Sequence, residues 1–164
     1  YHEIAQGSEF IEDGGSITIN ASSDDAMNSL DSFNIVGVLV TITHEDTETV
    51  NGPLCTVAEP PQDDTVEATI SHANLSAGEA DTNSFDFQLN WHNSSLVNSN
   101  VSNMTKADIE SMLDGGGIGF GMHDLVIGVT VQNGGGLGCN SNDDGQDVSY
   151  TIELVSLDYS VNPV

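Results

Sequence analysis

Alternating apolar and polar positions recur along most of the chain and predict β-strands with one buried face. In the segment 84–91, for example, Phe85, Phe87 and Leu89 fall on one side of an extended chain and polar residues on the other. Stretches rich in Gly, Pro, Asn and Asp separate such segments and favour turns. The short segments predicted as strands are 16–20, 65–70, 84–91 and 123–133.

Two longer segments predict long strands. Residues 33–50 are rich in β-branched side chains, apolar on both faces at first and alternating afterwards, which is typical of a central strand that emerges toward solvent. Residues 148–161 alternate throughout, but the apolar phase shifts near Val155. This shift predicts a β-bulge or a change of face.

Only one segment follows a helical period. Ile109 and Leu113 recur at helical spacing, and Thr105 with Asp108 makes a capping-box pattern before them. The pattern predicts a short helix at residues 106–113. Together with six or more strands and Gly-rich turns, it indicates an all-β fold, an antiparallel β-sandwich of jelly-roll type.

The expected domain organisation is simple. At this length we expect one domain, a β-sandwich over residues 16–164. Residues 1–15 are polar with scattered apolar side chains, and we expect them to form an N-terminal extension.

The charge composition narrows the classes of function. The chain of 164 residues has 26 Asp and Glu against a single basic residue, Lys106, which gives a formal net charge of −25. Such a chain cannot neutralise phosphates, so nucleic acids and anionic membrane surfaces are excluded as partners. No apolar stretch is long enough to predict a membrane span. Salt, divalent cations or an acidic medium must screen the carboxylates, and the composition resembles that of proteins from salt-adapted archaea.

Two features predict an extracellular location at the cell surface. Cys55 and Cys139 are the only cysteines and lie in turn-rich segments, so we expect a disulfide, with two separate buried thiols as the alternative. Five N-x-S/T motifs are candidate glycosylation sites, and an ordinary Asn/Ser-rich surface is the alternative. Their asparagines are Asn20, Asn74, Asn93, Asn100 and Asn103.

One loop has part of the spacing of a calcium-binding turn. Between residues 140 and 147, oxygen-bearing side chains at alternate positions precede Gly145, and hard oxygen ligands of this kind suit Ca²⁺. Position twelve of that frame is Thr151 rather than Glu, which excludes an EF-hand. A solvated Asn/Asp turn is the alternative to a calcium site. The candidate ligands are Asn140, Asn142, Asp143, Asp144 and Asp147.

The sequence has no spacing that is typical of catalysis. The five histidines occur singly, no serine lies in a G-x-S-x-G motif, and the Gly-rich stretches lack the lysine of a phosphate loop. We therefore expect a protein that is not an enzyme and requires no cofactor, with Ca²⁺ as the one candidate ion.

Structural and interaction roles remain, and the sheet edges favour polymerisation. A sandwich exposes unpaired backbone groups at its edges, and this chain has almost no lysine to protect them. The extension 1–15, with Ile4, Phe10 and Ile11 as polymerisation candidates, is predicted to insert as a strand into a neighbouring copy of the chain. Such head-to-tail addition builds a filament. The segment 148–161 is a competing donor.

In these features the whole chain resembles archaeal extracellular filament subunits of the donor-strand type, such as threads, bundling pili and cannulae. The resemblance is architectural and rests on the Asn/Ser/Thr-rich sandwich, the N-terminal segment 1–15 without a hydrophobic helix, the glycosylation motifs and the cysteine pair. It implies a homopolymeric fibre, and the cannulae imply calcium-bridged assembly. Two alternatives stay open. One is a calcium- or carbohydrate-dependent adhesion module that binds glycans through Trp91 and the Asp/Asn loops, and the other is a coat subunit with lateral contacts.

Overall fold

The protein is an antiparallel β-sandwich. The structure, a computed structural model, describes residues 1–24, 34–45, 49–51, 63–132, 135–136 and 139–162. Its main strands are β1 (His2–Glu12), β2 (Ser16–Ser22), β3 (Ile35–His44), β5 (Thr65–His72), β6 (Leu75–Asp81), β7 (Phe85–Asn90), β8 (Met122–Thr130) and β11 (Gly145–Ser156). Three short strands, β4 (Thr49–Asn51), β9 (Gly135–Gly136) and β10 (Cys139–Asn142), form a small separate sheet.

The eight main strands are paired as in a jelly roll. Along the chain, the first main strand pairs with the last (β1 with β11), the second with the seventh (β2 with β8), the third with the sixth (β3 with β7) and the fourth with the fifth (β5 with β6). This nested antiparallel pairing wraps into two four-stranded sheets, ordered β1-β11-β3-β7 and β2-β8-β5-β6. The fold class predicted from the sequence is therefore confirmed.

The core lies between the two sheets and is built from alternate side chains of the central strands. Val38, Val40 and Ile42 on β3 are completely buried, because β3 lies between two neighbours and under the opposite sheet. The other central strands repeat the pattern with period two, as a half-buried sheet requires. Their buried side chains are Val66, Ala68, Ile70, Leu125, Ile127, Val129, Val148, Ile152 and Leu154.

The predicted helix and the predicted bulge are both present. Helix α1 (Lys106–Leu113) begins after Thr105, whose side chain accepts a hydrogen bond from the Asp108 backbone while the Asp108 side chain accepts one from the Thr105 backbone. In β11, the register with β3 shifts between Val155 and Ser156. None of the helices in the described ranges is long and apolar enough to cross a membrane.

Residues 2–12 belong to the sandwich rather than lying outside it. They form β1, which pairs with β11 of the same chain from His2 opposite Leu154 to Glu12 opposite Gly145. This changes the expected division of the chain, since the sandwich includes strand β1 as well as residues 16–162. The competing donor segment, 148–161, contributes most of β11, which lies inside the sheet between β1 and β3.

Candidate functional site

Strand β1 forms one edge of its sheet, and in the described ranges no other strand pairs with its outer side. Its backbone ladder with β11 is long, but its side chains are poorly buried: of its 11 residues, only Ile11, 2% exposed, is fully buried. Ile4 is partly buried against the core, at a register shift between Glu3 and Ala5, and Phe10 is 53% exposed. The three polymerisation candidates thus differ in role: Ile11 anchors the strand, Ile4 supports it and Phe10 faces solvent.

The strand with which β1 pairs contributes side chains to the core. Val148, Ile152 and Leu154 on β11 are completely buried, and β1 pairs with β11 along this stretch. The two strands also fit closely, because Gly7 lies opposite Tyr150 and a Cβ atom at position 7 would lie 2.6 Å from the Tyr150 hydroxyl oxygen. Strand β11 therefore needs a partner at this edge, and the sequence of β1 is matched to it.

A short link, residues 13–15, joins β1 to β2 in the opposite sheet. Gly14 has φ of +67°, a conformation that glycine adopts without strain. The Asp13 amide donates to the Asp144 carbonyl at 3.0 Å, and the Gly14 amide donates to the Val129 carbonyl at 3.0 Å. If β1 paired with β11 of another copy of the chain, this link would have to change conformation, whereas the pairing between β1 and β11 would be the same as within one chain.

A buried polar cluster lies at the same end of the sandwich, where β5 and β11 begin. Asp64 is 1% exposed and Gln146 is 0% exposed. The Asp64 carboxylate accepts hydrogen bonds from the Gln132 backbone amide at 2.9 Å and from Gln146 Nε2 at 3.0 Å. Burial raises the pKa of Asp64 to about 6, and the adjacent carboxylate of Asp143 acts in the same direction.

The predicted calcium ligands do not converge in one loop. Asn140 and Asn142 are in strand β10, and their side chains lie outside what the structure describes. Asp143 faces Asp64 and accepts a hydrogen bond from the Gly145 amide at 3.0 Å, whereas Asp144 is exposed. Asp147 is on the outer face of β11, directly opposite the exposed Phe10.

A second buried cluster, at the other end of the sandwich, was not predicted. The rings of His72 and His123 stack with centroids 4.0 Å apart, and His72 also lies 5.8 Å from Trp91. Pairing of β5 with β8 brings these histidines together although they are distant in sequence. Burial, and then the charge of His72, lowers the pKa of His123 to about 4. The His72 ring nitrogens contact the carbonyls of Met122 and Ile118.

The structure describes only some of the residues from which an extracellular location was predicted. All five asparagines of the N-x-S/T motifs are exposed, which allows modification but does not test whether it occurs. Asn20 donates to Asp124 at 2.6 Å, and Asn93 caps the 3-10 turn Ser94–Leu96. The disulfide stays a prediction, because Cys55 lies outside the described residues and only the backbone of Cys139 is described.

The fold and its edge define the class of protein as a small acidic jelly roll whose first strand forms a sheet edge and is held mainly by its backbone. No family model matches the chain, and no curated protein matches it.

Proposed function

We propose that the protein is the structural subunit of an extracellular, cell-surface filament, in which β1 of one subunit pairs with β11 of the next. The observation that carries this proposal is the contrast in β1 between its extensive backbone pairing and its poorly buried side chains. Strand β1 pairs with β11 along its whole length, with one register shift between Glu3 and Ala5, yet only Ile11 among its side chains is fully buried. A strand held mainly by backbone hydrogen bonds can be exchanged for an identical strand with the same contacts, so exchange between copies is close to neutral in enthalpy.

The need of β11 for a partner supports the same proposal. If β1 leaves, the edge of β11 is opened beside Val148, Ile152 and Leu154, which belong to the core. Such an open edge pairs readily with another strand. Because donor and acceptor lie on the same chain and differ in position, each added subunit presents a new open edge, and growth continues head to tail.

The adhesion alternative receives less support. It needs Trp91 to form one site with the Asp/Asn loops, one of which precedes β11. Trp91 follows β7, near the start of β3, and its Nε1 donates to the Ile35 carbonyl at 2.9 Å. The loop before β11 lies near the end of β3, so it is roughly 25 Å from Trp91 at about 3.3 Å per residue. This loop and Trp91 cannot touch one small glycan together, which leaves only loops nearer Trp91 for such a site.

The proposal can be tested with a reversible lock. Ser8 and Ser149 are directly opposite in the ladder, with their hydroxyl oxygens 3.1 Å apart. In the double variant Ser8→Cys/Ser149→Cys, oxidation of the monomer should tie β1 to its own β11 and prevent fibres in negative-stain images and sedimentation. Reduction should restore them.

The matched control ties β11 to its other neighbour. Thr43 on β3 is opposite Ser149, so Thr43→Cys/Ser149→Cys places a disulfide on the same exposed face and leaves β1 free. We expect this variant to polymerise in both redox states. Fibres from the oxidised Ser8→Cys/Ser149→Cys variant, with its lock shown to be closed, would refute exchange of β1.

A further inference from the structure

We propose that residues 115–122, which join helix α1 to strand β8, dock on the surface of a lipid bilayer whose headgroups carry no net charge. We call residues 115–122 the apolar tip, and its side chains that enter the bilayer are Ile118, Phe120 and Met122. This inference goes beyond the polymerisation proposal and does not depend on it. The apolar tip lies at the end of the sandwich opposite the link 13–15, and it takes no part in the pairing of β1 with β11.

The apolar tip presents large apolar side chains to solvent at alternate positions. Ile118 is 43% exposed, Phe120 49% and Met122 50%. The residues between and after them, Gly119 and His123, are buried. Single apolar side chains are common on protein surfaces, but a group of neighbouring ones marks a contact site.

The apolar tip is held in this orientation from inside the protein. A Cβ atom at Gly119 would lie 2.6 Å from Ile35 Cγ2, so glycine lets the backbone pass close to the core. Gly121 has φ of +106°, its amide donates to Ser23 Oγ at 2.8 Å, and its carbonyl accepts from the Ser23 amide at 3.0 Å. These contacts fix the backbone, so Phe120 is already displayed before a partner binds.

The backbone of the apolar tip suits an apolar medium. In lipid, an N–H or C=O group without a partner is costly, because no water can replace the missing hydrogen bond. The Ile118 amide donates to the Gly115 carbonyl at 3.0 Å, and the Ile118 carbonyl contacts a ring nitrogen of His72. The Gly119 carbonyl lies 3.2 Å from His123 Nε2. Backbone polar groups are thus paired on the inner side, and apolar side chains face outward.

The exposed apolar area favours a bilayer over a second copy of the chain. From their exposed fractions, the three side chains present roughly 250–300 Å² at about 200 Å² for each large apolar residue. A stable interface between proteins buries about 800 Å² on each partner, so the apolar tip is too small to hold a dimer. A bilayer surface adapts to the shape that enters it, and the affinity follows from the apolar area buried.

Charge selects the kind of bilayer. The chain has no Asp, Glu, Lys or Arg between Asp114 and Asp124, so the apolar tip is uncharged and both of its flanks are acidic. The single basic residue, Lys106, pairs with Glu110 at 3.5 Å in helix α1. Anionic headgroups would therefore repel this end of the protein, whereas zwitterionic headgroups such as phosphatidylcholine would not.

Flotation with vesicles tests the proposal on the full chain. The protein is mixed with phosphatidylcholine vesicles and centrifuged through a density gradient, in which bound protein rises with the vesicles while free chains and fibres do not. Half of the protein should float at an accessible lipid concentration on the order of 1 mM, which is what burial of roughly 250 Å² of apolar surface gives. Flotation should be as strong in 1 M NaCl as in 0.15 M, because salt does not screen apolar burial. Vesicles that are half phosphatidylglycerol should carry less protein at 0.15 M NaCl.

Two exposed phenylalanines provide matched variants. Phe120→Ser removes the largest side chain of the apolar tip, and Phe10→Ser removes one that is similarly exposed, at 53%, from the opposite end of the sandwich. We expect Phe120→Ser to need at least about tenfold more lipid for the same flotation, and Phe10→Ser to need no more than the unmodified chain. Met122→Ser should act in the same direction as Phe120→Ser. Thermal unfolding without lipid checks that each variant is folded, since substitutions at exposed positions change stability little.

Four results would overturn the proposal. The first is that the unmodified chain does not float with phosphatidylcholine vesicles. The second is equal flotation of Phe120→Ser and Phe10→Ser. The third is stronger flotation with phosphatidylglycerol-containing vesicles that is lost in 1 M NaCl, which would mean electrostatic binding. The fourth is a dimer of the unmodified chain that Phe120→Ser dissociates in sedimentation without lipid, which would assign the apolar tip to a second copy.

Discussion

Replacing Ile11 by Ala tests whether β1 is an integral strand of the sandwich. Ile11 is 2% exposed and its neighbour Phe10 is 53% exposed, although both are large, apolar and on the same strand. Removing three buried carbon groups costs about 2.4 kcal/mol in transfer free energy at ~0.8 kcal/mol each, and the cavity left behind brings the loss to about 3 kcal/mol. For a domain of this size, that is a fall in melting temperature of roughly 6–12 °C.

The assay is denaturant unfolding of monomeric protein, with Phe10→Ala as the control. Truncating the exposed Phe10 should change the free energy of unfolding by less than about 1 kcal/mol. If β1 were a free extension in the monomer, both variants would unfold like the unmodified chain. Equal, small effects of the two substitutions would therefore refute the structural role that we assign to β1.

Three further substitutions test other parts of the structure, and Gly128→Ala is the control for the first of them. Gly145 has φ of +149°, and a Cβ atom there would lie 2.8 Å from Glu12 Cα on β1. Gly145→Ala should therefore lower the free energy of unfolding by at least about 2 kcal/mol. Gly128→Ala should lower it by less than about 1 kcal/mol, because only the flexible Glu67 side chain is close to position 128. His123 stays neutral in the fold down to pH about 4 but is protonated below about 6.5 when unfolded, so its contribution to stability falls by up to about 3 kcal/mol from pH 7 to pH 4. His123→Leu should therefore destabilise less at pH 4.5 than at pH 7, and a gap between variant and unmodified chain that does not change with pH would contradict this. Thr105→Ala should lower stability by about 1 kcal/mol through loss of the α1 cap, measured by the same unfolding assay.

Local signals carried the predictions that were confirmed. The capping pattern of Thr105 and Asp108 predicted the helix at its observed bounds, because both partners of that interaction lie within one turn. The phase shift near Val155 predicted a bulge for a similar reason, since alternation reports which face each residue occupies.

Strand β1 was predicted as an extension because its pattern is irregular. The register shift between Glu3 and Ala5 breaks the period of two, and Gly7 and Glu9 fill positions where a buried strand would carry apolar side chains. Strand β6 was not predicted, because it too has little apolar alternation. As an edge strand with small residues, it has only Leu75 and Ala77 packed against the core.

The two buried polar clusters depend on contacts that no local pattern reveals. Asp64 meets Gln146 only because β5, which follows Asp64, and β11, which contains Gln146, begin at the same end of the sandwich. His72 and His123 stack because β5 pairs with β8. Single Asp, Gln and His residues in a polar chain carry no signal of such meetings, and the sequence could therefore indicate a calcium loop but not these partners.

The most direct measurement of the central claim is a cross-link between different subunits. The Ser8→Cys variant and a mass-tagged Ser149→Cys variant are unfolded together, allowed to refold and polymerise, and then oxidised. The chains are separated by mass without reductant. A mixture of the unmodified chain with the tagged variant, treated in the same way, is the control. If β1 pairs with the β11 of another copy, a disulfide-linked species with the summed mass of one tagged and one untagged chain forms only in the mixture of the two variants. Fibres that form without this species would contradict the account.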